Sequence, residues 1–366
     1  MFLLFFSVFL SYNKNMDTIK IFVLTHKKFI KPNSDLYISL QVGAQGKEDL
    51  GYLCDNTGYN ISNMNCYYSE LTGLYWIWKN VKSYGYVGTC HYRRYLLNDR
   101  GEIFNKEELN SLLKKYQIIT TKQVELNYSY LYAFSQNHNG DILEETGKVI
   151  KEICPDYYDS FIRLVNENHT YFGNMLITDK ECFDHYCSWL FSIFSLVEKR
   201  VDLSAPDDYH RRVFGFISEF LLLVYTTTNH LDVYECKVGM VGEKAETKEL
   251  KLQMANYFSN RNFKGAREYF ANVLKERPDV LMEASDINGE LKICMQIIIT
   301  AQAEWEKYKT SVLDKNMTYD ELIQYFIYLN QNYLKLQINQ TNDRKRYHID
   351  ATDVAIEISK LIQNDI

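Results

Sequence analysis

His91-Tyr92-Arg93-Arg94-Tyr95 places a histidine and two arginines directly after an apolar, β-rich run, Tyr86–Cys90. Open α/β sheets hold their ligands beyond the carboxyl ends of the strands, so cations delivered there are candidates for an anion site. A guanidinium makes paired, charge-assisted bonds to phosphate and stabilises charge that grows when a bond to phosphate breaks. Adjacent residues of a strand face opposite ways, so one of Arg93 and Arg94 is expected to face a ligand while the other makes a structural ion pair. His91 can donate to a phosphate, bind a metal, or serve as a buried hydrogen-bonded histidine.

Acids in apolar surroundings form the second group. Glu219 sits between Phe216-Ile217 and Phe220-Leu221, where a carboxylate is suited to accept a proton from a substrate hydroxyl. Its competitors for that role are Asp207 and Asp208 in the preceding loop, and its structural alternative is a salt bridge to Arg211 or Arg212. Glu70 lies on an aromatic helix, where a carboxylate is costly unless paired or facing a ligand; Arg93 or Arg94 is the expected partner. The Gly173-Asn174-Met175 turn lets backbone approach a ligand closely, and Asn174 either binds a hydroxyl there or merely starts a strand.

The elements that must position these residues follow from periodicity. Ile19–Thr25 (IKIFVLT) reads as a buried strand ending at His26 with a ligand loop after it, and Tyr37–Val42 as a second strand. Asp55 to Asn60 is a turn, after which Ser62 or Asn63 can cap a helix from about Cys66 to Asn80. Gln117–Thr121 and Tyr171–Thr178 are further strands, and helices are expected over about Lys180–Arg200 and Phe214–Tyr225. Trp189 and the phenylalanines around it recur at helical spacing and read as core. The alternation predicts an α/β domain over residues 16–242. Residues 243–366 read as helical, and Tyr257, Ala266, Phe270 and Pro278 stand at the spacing of one tetratricopeptide-like hairpin, with Val273 where alanine is usual. A single such unit cannot bury its own face and must belong to a larger helical domain.

Several segments together resemble a known family: THKKF (Thr25–Phe29), YISLQVGA (Tyr37–Ala44), DNTGYNIS (Asp55–Ser62), SELTGLYWIWKN (Ser69–Asn80), YVGTCHYRRYL (Tyr86–Leu96), FGNMLI (Phe172–Ile177), WLFSIF (Trp189–Phe194) with LVEKRVD (Leu196–Asp202), and RVFGFISEFLL (Arg212–Leu222). The chain is similar over about Ile19 to Asn229 to the family catalogued as domain of unknown function 4422. Its members occur in capsular and exopolysaccharide gene clusters and are regarded as glycosyltransferases of GT-A type. The resemblance implies a GT-A-like Rossmannoid nucleotide-sugar-binding α/β domain followed by an all-α domain. It implies a nucleotide-diphosphate sugar donor carrying a hexose, with galactofuranose one candidate, and a lipid-linked oligosaccharide acceptor. Polysaccharide-assembly proteins could meet the C-terminal helices. Glu219 and Asp208 are then the catalytic candidates, and His26, Asp55, Asn56, Asn60, Glu70, His91, Arg93, Arg94 and Asn174 the donor-binding ones. Asp55, Asn56 and Asn60 would contact base and ribose, or simply hold their turn. Most GT-A enzymes hold a divalent metal with Asp-x-Asp after a central strand. This strand ends instead in His91-Tyr92-Arg93, so manganese or magnesium has no assigned ligands and arginine could replace it. A catalytically silent assembly protein is the competing reading.

Composition sets outer bounds. The chain has 366 residues, 46% of them hydrophobic, enough for two cored domains. A net charge of −6, from 41 basic and 47 acidic residues, excludes a general attraction to nucleic acid or anionic lipid. Thirty Tyr and 20 Phe favour surfaces that meet polar ligands on flat apolar faces. Eight cysteines without a CxxC pair read as reduced thiols of a cytoplasmic protein, with peripheral contact at the inner face of the plasma membrane as a further expectation. Met1–Leu10 is apolar but far short of the ~20 residues that cross a bilayer, and Met16 is a plausible true start, leaving 1–15 outside the fold.

Overall fold

The computed structural model describes residues 18–82, 84–205, 207–281, 285–338 and 351–364. The apolar leader and the alternative start at Met16 lie outside the described residues. The chain divides into two compact units, 1–241 and 242–366.

Among the described residues the first unit carries ten strands: β1 Ile19–Thr25, β2 Tyr37–Gln41, β3 Leu53–Cys54, β4 Tyr86–His91, β5 Arg94–Leu97, β6 Ile118–Thr121, β7 Val124–Glu125, β8 His169–Thr170, β9 Leu176–Asp179 and β10 Val233–Met240. Eight form one sheet in the order β3-β2-β1-β4-β5-β10-β6-β9, with β9 also pairing antiparallel to β4. β1 lies parallel to both β2 and β4, and all but one of its residues are buried, as expected for a strand covered on both faces. The close approach of β9 to β4 depends on Gly88, where a Cβ would come within 2.7 Å of Ile177 Cγ1 and 3.0 Å of the Leu176 carbonyl. Helices Leu71–Asn80, Lys180–Val197 and Val213–Thr228 supply the aromatic core, in which Phe214 lies 4.7 Å from Phe194 and 4.8 Å from Tyr68 between ring centroids. Trp189 is buried there.

Four elements differ from the sequence expectation. The helix expected over Cys66–Asn80 is broken at Ser69, whose φ is +49°; Asn65 Nδ2 donates to the Ser69 carbonyl at 2.6 Å and stabilises the break. That break sets Glu70 at the start of the second helical piece. The strand expected over Tyr171–Thr178 begins only at Leu176, because Gly173 and Asn174 both take positive φ. A helix over Gly140–Ile153 and the long strand β10 add elements that periodicity did not announce.

In the second unit the longer elements are the helices Ala245–Ser259, Phe263–Glu276, Glu290–Tyr308, Tyr319–Ile338 and Asp353–Asn364. No described residue of this unit is in a strand. The first two helices pack against each other, with Ala266 and Phe270 buried and the Tyr257 and Tyr269 rings 5.8 Å apart. Phe270, Leu274, Met295, Ile298, Arg267 and Gln302 line a cavity of about 450 Å³. No helix among the described residues is long and apolar enough to cross a membrane.

Candidate functional site

The site is built on a two-residue turn ahead of β9. Gly173 has φ +100° and Asn174 φ +47°, angles that glycine reaches freely and asparagine tolerates better than most side-chain-bearing residues. The Gly173 N–H donates to Glu219 Oε1 at 2.6 Å, and its carbonyl accepts from His91 Nε2 at 2.5 Å. Asn174 Nδ2 donates to Glu70 Oε1 at 2.7 Å and to the Gly215 carbonyl at 2.9 Å, while its Oδ1 accepts from Ser218 Oγ at 2.8 Å. Thr89 Oγ1 donates to the Asn174 carbonyl at 3.1 Å and Thr120 Oγ1 to that of Met175 at 2.6 Å. The sheet and the Val213–Thr228 helix therefore grip one turn from opposite sides.

The gripping groups have distinct electrostatics. A carbonyl only accepts, so His91 carries a proton on Nε2 and the neutral ring keeps its lone pair on Nδ1. Burial, helped by the Arg94 charge, holds His91 below the usual histidine range, against the opposing pulls of Glu70 and the Gly173 carbonyl. Burial first, and then the neighbouring Glu70 carboxylate, push Glu219 up to about 8; the Gly173 N–H, Arg94 and Arg212 pull the other way. Like charges at one site resist joint ionisation, so Glu219 holds a proton at neutral pH and releases it just above. A carboxyl tuned there is suited to take a proton from a hydroxyl.

Arg93 and Arg94 are not consecutive strand residues. His91 pairs in register with Arg94 across a hairpin whose turn is Tyr92-Arg93. Arg94 begins β5 and reaches the site: its Nη1 lies 3.7 Å from where a Cβ on Gly173 would stand. No carboxylate among the described residues lies within 4 Å of it, leaving a half-buried guanidinium available to an anion. Arg93 lies in the turn, and its carbonyl accepts from Val241 N–H at 2.8 Å. Glu70 is bonded to Asn174 rather than paired with an arginine.

Other candidates lie elsewhere. Asp208 is not brought to the turn: its side chain is 94% exposed and pairs with Arg211 at 3.2 Å within one helical turn. Asp207 caps that turn and bonds to His210 Nδ1 at 2.7 Å. Arg212 lays its guanidinium 5.4 Å from the Tyr209 ring and 5.9 Å from the Phe216 ring. Asp55 is fully buried and accepts from Gly43 N–H at 2.8 Å, Ala44 N–H at 3.0 Å and Ser62 Oγ at 2.5 Å, so both of its oxygens are engaged in fixing the loop after β2. Asn56 is exposed, and exposed Asn60 closes its own turn by accepting from Ser62 N–H at 3.2 Å. His26 is exposed at the end of β1, edge-on to Tyr92 at 5.4 Å.

Gly215, Ser218, Thr89, Thr120 and Tyr130 belong to the site without having been singled out in the sequence. Tyr130 donates to the Phe216 carbonyl at 3.3 Å and stacks on Phe220 at 4.2 Å; burial and then the Glu219 charge push its phenol well up. The signal available was Gly215 and Ser218 at i and i+3 on an otherwise large-residue helix, with Glu219 directly after Ser218. Among the described residues no three His, Cys, Asp or Glu side chains are grouped to hold a metal ion.

Comparison with known proteins finds matches over the region that contains this turn. No curated protein matches the chain. Among solved structures it is similar to the apo form of WbbM, a bifunctional glycosyltransferase, with a TM-score of 0.58 and 25% identity over 62% of this chain and 46% of that one. The chain thus spans less than half the length of that protein. A family described as a domain of unknown function (DUF4422) matches residues 20–230, and since that is more than half of its length, the chain belongs to the DUF4422 family.

Proposed function

We propose that residues 18–241 form a glycosyltransferase that moves a hexose, with galactofuranose one candidate, from a nucleotide-diphosphate sugar to a hydroxyl of a lipid-linked capsular or exopolysaccharide oligosaccharide. The observation that carries the reading is the Gly173–Asn174 turn, with the Glu219 carboxyl bonded to it on one side and, on the other, the Arg94 guanidinium, which among the described residues has no carboxylate within 4 Å. The GT-A-like character of the fold is part of the same proposal, supported by the similarity to a glycosyltransferase structure.

In this reading the bond between the sugar's anomeric carbon and the diphosphate oxygen breaks and a bond to the acceptor oxygen forms. The electron pair leaves with the diphosphate, where the Arg94 fork meets the growing charge. Glu219, ionised, takes the acceptor's proton. Glu70 and Ser218 act through Asn174 and His91 through Gly173, fixing the turn against which the donor sugar rests; these are positioning residues. His26 and Asn56 are near enough to strand ends to meet the nucleotide, whereas Asp55 shapes the loop between them.

The experiment is a screen of nucleotide sugars by thermal shift, with and without manganese or magnesium. A donor at a hundred times its dissociation constant stabilises the native state by about 2.7 kcal/mol. One donor should raise the melting temperature of the parent and not of R94K. If no nucleotide or nucleotide sugar shifts it under either condition, the transferase reading fails. A scaffold role is favoured by one observation, the cavity of about 450 Å³ between two helices of the second unit, through which an assembly protein could dock.

A further inference from the structure

The loop that leaves β1 is basic and tipped by an exposed aliphatic side chain. Thr25 Oγ1 donates to the Lys27 carbonyl at 2.6 Å and accepts from Lys27 N–H at 3.2 Å, fixing the chain as it leaves the strand. Phe29 turns inward, 5.7 Å from the Tyr52 ring and 6.2 Å from that of Tyr92. The next residue, Ile30, is 93% exposed. Lys27, Lys28 and Lys31 flank it and are exposed, and no acidic residue occurs from His26 to Ser34. Lys27 lies over the Tyr92 ring at 5.5 Å; among the described residues neither Lys28 nor Lys31 meets a carboxylate within 4 Å.

A lone exposed apolar residue is ordinary. This one differs because its neighbour Phe29 is folded in while it is held out, and because three cations surround it on a chain whose net charge is −6. Such a combination suits one kind of surface, where an aliphatic tip enters the acyl boundary and ammonium groups stay among anionic headgroups. A soluble anion would engage the lysines and leave Ile30 in water.

We propose that the His26–Lys31 loop docks the protein on an anionic bilayer surface, with Ile30 inserted and Lys28 and Lys31 at the headgroups. Because β1 and β4 are parallel and Leu24 pairs with His91, the loop leaves the same sheet edge as His91. The bilayer would then lie on the side from which a lipid-linked acceptor reaches the turn. The docking goes beyond the transferase reading and does not depend on it.

The test is co-sedimentation of the full chain with vesicles of phosphatidylcholine alone or with one-third phosphatidylglycerol. The parent should partition onto the anionic vesicles only, and raised salt should release it. Attraction near such a surface amounts to roughly fivefold per lysine, so K28E/K31E should lose at least twenty-five-fold. Ile30→Glu, at a position too exposed to disturb folding, should lose on the order of tenfold, while Ile30→Leu retains binding. UDP titration into the same variants should match the parent. Vesicle binding unchanged in both I30E and K28E/K31E would overturn the proposal, as would a parent that ignores anionic vesicles. Loss of UDP binding in K28E/K31E without loss of vesicle binding would instead make the lysines a site for soluble phosphate.

Discussion

Asp55 and Glu219 are two carboxyl groups in one unit, each against a backbone turn, and they do opposite things. Both Asp55 oxygens meet donors, two backbone N–H groups and a serine hydroxyl. Glu219 receives one N–H, from Gly173, and faces a second carboxylate, Glu70. A buried acid whose lone pairs are matched fixes structure, whereas one left short of donors beside a like charge is set to exchange a proton near neutrality.

Glu219→Gln is expected to have the largest effect. It keeps the bond from Gly173 N–H but cannot accept a proton, so transfer at pH 8.5 should fall by about 10²–10⁴-fold in a steady-state assay while the fold is retained. Its stability should also change with pH in a defined direction. The folded-state value of about 8 lies above the ordinary 4.5, so the parent's folded state holds a proton that its unfolded state has lost. The parent's stability therefore declines as pH rises from about 4.5 to 8. Melting curves of E219Q should lack that decline and lie above the parent's at pH 9.

Asp55→Ala should reverse the pattern. Leaving buried donors unmatched costs about 1–3 kcal/mol each, so urea unfolding should show a several-kcal/mol loss, with UDP affinity of the folded fraction unchanged. Arg94→Lys removes the planar fork at an anion site; transfer should drop roughly thirtyfold to a thousandfold, or about 2–4 kcal/mol, while Arg93→Lys stays near the parent. Ser218→Ala removes one hydrogen bond to Asn174 and should cost about 1 kcal/mol of stability with a modest loss of turnover. Asp208→Asn, at a position 94% exposed, should change stability by less than about 0.5 kcal/mol and leave transfer intact; a large loss would return Asp208 to the reaction.

The sequence made the strands on either side of the site legible, because Ile19–Thr25 and Tyr86–Cys90 are short, β-rich and mostly apolar runs that suit a sheet covered on both faces. It also exposed Glu219, an acid in an apolar helix. The pairing of Glu70 was not legible: spacing suggested an arginine, but the break at Ser69 and the positive φ of Asn174 bring these two side chains together. The choice between Arg93 and Arg94 depended on a hairpin beginning at His91, which no period marks. Asp207 and Asp208 looked like Glu219's rivals because closeness in sequence says nothing of which acid faces the turn. Gly215 and Ser218 were silent, since small residues in a helix announce close packing without naming what approaches.

The pH dependence of kcat/KM for transfer from the donor found by the screen tests the central claim most directly, since it reports the free enzyme's proton-accepting group. With Glu219 as that group and its value about 8, kcat/KM should climb close to tenfold per pH unit below about 8 and level off above. E219Q should lose this limb along with the rate. A parent profile flat from pH 6 to 9, or a limb that persists unchanged in E219Q, would contradict the assignment of Glu219 as the proton acceptor.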